Sequence, residues 1–122
     1  MEKIERTIRY VKLFNIYKDF LTHKQIKIVG DYFLADLSLS EIAESRDITR
    51  SAVEDTLKKS CLKLDECESN LHLLEKREKL LKICAKLKAK TLNTSEIKEI
   101  EDIEKELDYG IWKSNWKAIE NI

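Results

Sequence analysis

The sequence predicts an all-α protein, and three observations carry that prediction. Proline is absent and only two glycines, Gly30 and Gly110, occur in 122 residues, whereas sheet proteins need many turn residues. Apolar residues recur at three- and four-residue steps along most of the chain, which is the helical period. Capping residues stand where the periodic runs begin, ready to accept the free N–H groups of a first turn. Leu, Ile, Lys and Glu dominate, a composition suited to helices.

The elements follow in order. Residues 3–20 read as a first helix, with Ile4, Ile8, Val11, Phe14 and Tyr17 on one face. Thr22 caps a second helix whose apolar face is Ile26, Val29 and Phe33, ending near Asp36. Ser38 and Glu41 have the spacing of a capping box, which opens a short third helix over residues 39–46. Asp47-Ile48-Thr49 breaks it, and Thr49 caps a fourth helix from Arg50. That helix carries a stripe of Leu57, Leu64, Leu71 and Leu74, with Cys61 and Cys67 between, continued by Ile83, Cys84 and Leu87. It runs to about Lys90, or kinks once. Thr91-Leu92-Asn93-Thr94 is the next turn, with Asn93 and Glu96 as a capping pair. A fifth helix shows Ile97, Ile100, Ile103, Leu107 and Ile111, and Gly110 ends or bends it. Trp112 and Trp116, four apart, suggest a short amphipathic tail.

The predicted architecture is a four-helix N-terminal unit containing a helix-turn-helix, then a long helix hairpin. Residues 1–75 form the helix-turn-helix domain, and residues 76–122 a C-terminal helical extension packed on the long helix. The leucine stripe serves either the hairpin or a homodimer seam. The tryptophan pair either covers the hairpin core or anchors a protein partner.

Charge is balanced overall, with 23 Lys/Arg and 23 Asp/Glu, so a uniformly basic surface is excluded. The distribution is uneven. Residues 1–63 hold 12 basic and 10 acidic side chains, a net of +2. Residues 76–90 hold seven basic side chains and one acidic, Glu78, a net of +6. Residues 91–122 hold four basic and eight acidic, a net of −4. A hairpin sets the basic segment beside the acidic one, and charge pairing across it is expected.

Residues 38–57 satisfy the demands of a helix-turn-helix. Ala43 is the small residue where the helices cross. Ile42, Ile48, Val53 and Leu57 are the apolar locks, and Thr49 caps the second helix. Arg50, Ser51, Glu54 and Asp55 then face a major groove, while Lys58, Lys59 and Lys63 reach phosphates. Two carboxylates on that face oppose a phosphate surface. Asp47 stands where glycine is usual in the turn, and Arg46 where an apolar residue is usual. Asp tolerates the left-handed conformation better than most residues.

Leu21-Thr22-His23-Lys24-Gln25, Leu39-Ser40-Glu41-Ile42-Ala43-Glu44 and Thr49-Arg50-Ser51-Ala52-Val53 together resemble the YlxM family, as does the continuation through Leu64 to Leu71-His72. The resemblance covers roughly residues 8–75. It implies a bacterial protein with a helix-turn-helix similar to sigma factor region four. It further implies an accessory or regulatory role in the signal recognition particle pathway, with the particle's RNA or GTPase subunits as partners. Lys76, Arg77, Lys79, Lys82, Lys86, Lys88 and Lys90 are the electrostatic candidates for RNA. Duplex DNA, read by Arg50, Ser51, Glu54 and Lys58, is the alternative ligand, and a DNA regulator of this size is expected to dimerise on a palindromic site.

An enzyme is not expected. His23 and His72 are the only histidines, and neither has a metal-ligand partner at helical spacing. His23 reads as a capping or surface residue and His72 as part of the long helix surface. Two glycines do not build a phosphate loop, and the carboxylates alternate with lysines as on solvated helix faces. No catalytic residue, metal site or cofactor is expected. Cys61, Cys67 and Cys84 read as buried reduced thiols of a cytoplasmic protein. No apolar run approaches the ~20 residues of a membrane span, and the N-terminus lacks the apolar stretch of a signal peptide.

Overall fold

The computed structural model describes residues 2–107, and the Trp112/Trp116 tail lies outside the described residues. The fold is all-α. Its helices are α1 (Lys3–Tyr17), α2 (His23–Phe33), α3 (Leu39–Arg46), α4 (Arg50–Leu71), α5 (Leu73–Lys90) and α6 (Thr94–Leu107). A 3-10 turn, Lys18–Phe20, follows α1. The first helix is therefore three residues shorter than its apolar pattern suggests. Among the described residues no helix is long and apolar enough to cross a membrane.

Local chemistry sets most of the boundaries. Thr22 caps α2 through a 3.2 Å bond from the Gln25 amide, and the Gln25 side chain returns a bond to the Thr22 amide. Ser38 and Glu41 form the same reciprocal box on α3. One backbone and one side-chain hydrogen bond with Ser38 hold the exposed Glu41 carboxyl below its ordinary range. Thr49 accepts from the Ala52 amide at 3.1 Å and opens α4. Asn93 accepts from the Ser95 and Glu96 amides. The expected reciprocal arm is different: the Glu96 carboxylate takes the Thr91 hydroxyl at 2.7 Å instead. Helix α2 ends at Phe33 rather than near Asp36, where a left-handed residue (φ 55°) turns the chain.

One core joins α1, α2, α3, α4 and the start of α5. Leu13, Tyr17, Val29, Ile42, Val53 and Leu64 are fully buried, with Phe14, Ile28, Phe33, Leu57, Cys61, Cys67 and Leu74 around them. Ile4 and Ile8 of the predicted α1 face are 72 % and 50 % exposed, so that face begins at Val11. Leu71, Ile83 and Leu87 of the predicted long stripe are also exposed, while Cys84 is buried. All three cysteines are free and buried. Burial pushes the Cys61 thiol up to about 11, which makes it an unreactive packing residue at neutral pH.

The long helix of the sequence breaks once, at His72. His72 is left-handed (φ 54°, ψ 31°), a conformation uncommon outside glycine. It is therefore a hinge residue, not part of a continuous helix surface. Two side chains, Tyr17 and Glu68, hold the break. The Tyr17 hydroxyl donates to Glu68 Oε1 at 2.6 Å and accepts from the Leu73 amide at 3.0 Å. Glu68 also accepts from the Leu74 and Glu75 amides at 3.0 and 3.2 Å. A carboxylate from α4 thus caps α5, satisfying amides that a helix start leaves free. Burial raises both groups, and it pushes the Tyr17 phenol, with help from Glu68, to about 12. For Glu68 the three hydrogen bonds outweigh burial and leave the carboxyl below its ordinary range.

The helix-turn-helix has its own lock. Asp47 takes the left-handed conformation at the turn (φ 54°, ψ 48°) in place of glycine, and the Ile48 amide donates to the Ala43 carbonyl at 3.0 Å. Arg46, where an apolar residue is usual, grips Asp31 of α2 with two bonds of 2.8 and 2.9 Å. The Asp31 side chain is only 7 % exposed. A planar guanidinium facing a carboxylate in this fork is the strong form of ion pair. On the opposite side, Asp65 of α4 holds α1 through Arg9 at 3.0 Å and Tyr10 at 2.7 Å, and Lys12 of α1 reaches Glu78 of α5 at 3.0 Å.

Two outcomes are expected. Glu68→Gln should lose about 1.5–3 kcal/mol in urea unfolding at neutral pH, the range for hydrogen bonds to a charged group. A carboxyl that titrates lower when folded stabilises the fold above the ordinary value of 4.5, and that gain drains as pH falls through the folded value. The variant's stability should therefore vary less between pH 6 and pH 3 than the parent's. Arg46→Ala should cost about 2 kcal/mol or more, because it strands a buried carboxylate. Unfolding of Asp31→Ala/Arg46→Ala should show a smaller loss than Arg46→Ala alone, since no orphaned charge remains.

Candidate nucleic-acid interface

Two surfaces carry the cations that the sequence nominates. The first is the outward side of α4. Arg50, Ser51, Glu54, Asp55 and Lys58 are spaced to share it, and all five are solvent-facing except where they touch one another. Val53, Leu57 and Leu64 on the opposite side are buried and fix its orientation. The face is internally neutralised. Arg50 Nε lies 3.4 Å from Glu54, and Lys59 Nζ lies 3.0 Å from Asp55. Such exposed i,i+4 pairs are weak, about 0.3–0.5 kcal/mol each, but each sets a carboxylate beside a cation that a phosphate would need. Lys58 and Lys63 have no carboxylate within ion-pair distance among the described residues.

The second surface is one side of α5. Lys76, Lys79, Lys82 and Lys86 fall within about a third of the helix circumference at 3.6 residues per turn, and all are exposed. Lys79 pairs with Glu75 at 3.3 Å. Lys76, Lys82 and Lys86 face solvent without a carboxylate partner among the described residues. The expected cross-hairpin pairing is made on a different side of the helix, where Lys88 meets Glu104 of α6 at 2.7 Å. That contact raises the Lys88 ammonium above its ordinary range. Arg77 is half-buried and lies on this inward side, so the structure separates it from the basic row. Lys90, at the end of α5, is exposed.

A third basic feature was not nominated from the sequence. His23, Lys24 and Lys27 of α2 come beside Arg46 and Ile48 of the helix-turn-helix turn and line a cleft of about 390 Å³ that contains no carboxylate. Its members lie 20 residues apart in sequence, so only the packing of α2 against α3 brings them together. The spacing of His23, Lys24 and Lys27 at the start of one helix was the available signal. Another cleft, of about 420 Å³, joins Lys3, Arg6 and Arg50 to the start of α3, with Asp36 and Glu41 offsetting the cations. Among the described residues no group of three or more His, Cys, Asp or Glu side chains is placed to hold a metal.

Comparison with known proteins agrees with this geometry. A family model for UPF0122, helix-turn-helix proteins that are YlxM / p13 like, matches residues 4–104. The match extends past residue 75 and takes in the α5–α6 hairpin, which the recognisable sequence motifs do not reach. UPF0122 proteins of Bacillus thuringiensis (strain Al Hakam), Bacillus mycoides (strain KBAB4) and Bacillus anthracis (strain A0248) are each 44 % identical over 85 residues, covering 70 % of this chain and 77 % of theirs. No solved structure matches the chain. A helix-turn-helix with these caps and locks, joined to a hairpin within one matched span, places the chain in the UPF0122 family of YlxM / p13-like proteins.

Proposed function

We propose that this chain is a non-enzymatic cytoplasmic accessory protein of the signal recognition particle pathway, and that it binds the particle's RNA through α5. The pathway comes from the resemblance to YlxM proteins. The surface comes from one contrast. Lys76, Lys82 and Lys86 stand in a row without carboxylate partners among the described residues, whereas on α4 Arg50 and Lys59 are tied to carboxylates of their own helix and Lys58 and Lys63 alone are not. Phosphate binding releases counterions in proportion to the cations free to contact it. A row of free lysines on a projecting hairpin suits the backbone of a folded RNA, whose deep major groove excludes a reading helix.

A second reading is a transcription regulator that reads duplex DNA. It is favoured by the capped, outward N-terminal turn of α4, where Arg50 and Ser51 stand where base edges would be met. A regulator of this kind requires a dimer and a palindromic site. The GTPase subunits are the remaining class of partner if neither nucleic acid binds.

Anisotropy of labelled signal recognition particle RNA and random duplex DNA, each titrated at two salt concentrations, tests the proposal. RNA should bind more tightly than DNA. Lys82→Glu/Lys86→Glu should weaken RNA binding and lower the salt slope by about 1.4–1.8, at roughly 0.7–0.9 per lost phosphate contact. Unchanged affinity and slope would contradict the assignment. Arg50→Ala/Ser51→Ala should leave RNA binding unaltered. On the second reading the same pair would instead cost about 1–3 kcal/mol on a specific duplex and nothing on random sequence.

A further inference from the structure

The cleft of about 390 Å³ between α2 and the helix-turn-helix turn has a cationic rim and an apolar floor. His23, Lys24, Lys27 and Arg46 form the rim, and Ile28 and Ile48 the floor. At 3.6 residues per turn His23, Lys27 and Lys24 fall within about a third of the α2 circumference, so one side of that helix delivers all three. The volume lies within the range of small-ligand pockets, about 300–1,000 Å³. We propose that this cleft holds one sugar–phosphate unit of a nucleic-acid strand, with the phosphate between Lys24 and Lys27 and the pentose over Ile48. The assignment rests on the nucleic-acid reading of the protein but not on the α5 row.

The lysines are available because of how the neighbouring charges are spent. Asp31 stands one turn after Lys27, the spacing at which a lysine and a carboxylate pair on a helix. Both Asp31 oxygens are instead taken by Arg46, Oδ2 at 2.8 Å and Oδ1 at 2.9 Å. Lys24 and Lys27 are left without a carboxylate within ion-pair distance among the described residues. Asp47 adjoins the cleft in sequence but does not line it. Lys27 is half-buried, so its aliphatic stem lies along the cleft and its ammonium is held near the rim. The site does not depend on the helix terminus, whose capping box is closed by Thr22 and Gln25.

The chemistry favours a phosphate over a carboxylate. The one planar fork on the rim, the Arg46 guanidinium, is already matched to Asp31. The lysine ammoniums are point charges, which suit a phosphate. The apolar floor beneath them suits the C–H face of a pentose, which an inorganic anion lacks. The location favours a polymer. Ile48 is followed by Thr49, the cap of α4, so a strand held in the cleft lies at the flank of the helix-turn-helix. Contacts of this kind fix the register of a nucleic acid without reading its sequence.

Anisotropy of labelled signal recognition particle RNA and random duplex DNA, titrated with variants of the full chain, tests the assignment. Lys24→Gln/Lys27→Gln should retain the far-UV helix signal. It should weaken binding of the strand that uses the cleft about five- to eight-fold at roughly 0.1 M salt and lower its salt slope by about 0.7–0.9, the counterion release of one phosphate. Whichever of RNA and DNA shows this loss is the strand held. Lys24→Arg/Lys27→Arg should keep the slope. Lys98→Gln/Lys105→Gln, which removes the same charge from exposed positions of α6, should keep both affinity and slope. In amide NMR of the full chain, ribose 5-phosphate should shift residues 23–28 and 46–48 at lower concentration than inorganic phosphate does. Unchanged slopes for both nucleic acids in the α2 glutamine pair, an equal loss in the α6 pair, or no preference for ribose 5-phosphate would overturn the proposal. Shifts of the same amides by polyglutamate, with the nucleic-acid slopes unchanged, would overturn it and name an acidic protein segment as the occupant. Loss of RNA binding in Lys82→Glu/Lys86→Glu with the α2 pair unaffected would sink this inference alone, and the reverse would sink the α5 assignment alone.

Discussion

The arrangement of the molecule depends on one buried-edge carboxylate. Glu68 sits in the last turn of α4 and caps the first turn of α5, while the Tyr17 hydroxyl of α1 bridges Glu68 to the Leu73 amide. Without these bonds, the amides that open α5 would have no partner beside the core, and His72 would have no compensation for its left-handed backbone. The knot decides where the long helix breaks and so the direction in which α5 leaves the bundle. Because Tyr17 belongs to the first helix, that direction is referred to the whole core rather than to a local kink. The basic row of α5 is positioned by it.

The helix-turn-helix rests on a separate constraint of similar kind. Arg46 replaces an apolar lock and brings a charge to the edge of the core, and Asp31 answers it from α2 with a bidentate pair. The charge is tolerable there because the Asp31 carboxylate pairs with it. The pair also fixes α2 against the turn, which is what carries Lys24 and Lys27 to the flank of the motif. With the two departures from a usual helix-turn-helix, Arg46 and Asp47, in place, Ile42 and Val53 remain fully buried.

Much of the fold was legible in the sequence because caps and periodicity are local signals. Thr22, Ser38 and Thr49 opened the helices expected of them, and the missing prolines and glycines excluded a sheet. What periodicity could not convey was which partner each face would meet. Ile4 and Ile8 continue the α1 pattern but extend past the bundle, and Leu71 continues the α4 pattern but falls at the break. The break itself had no breaker residue to announce it. His72 was placed there by Glu68 and Tyr17, and the Tyr17 contact spans 51 residues. The candidate site divided in the same way. The cations of α4 and α5 were visible in composition, but their pairing with Glu54, Asp55, Glu75 and Glu104, which leaves more of the α5 row than of the α4 face unpaired, is a property of geometry.

The most direct test of the account is an amide-resolved NMR titration of the full chain with signal recognition particle RNA. The account predicts shift changes concentrated on α5 around Lys76, Lys82 and Lys86, with Arg50 to Lys58 of α4 left in place. Changes centred on the first two turns of α4, with α5 unaffected, would contradict it and make the helix-turn-helix itself the binding surface.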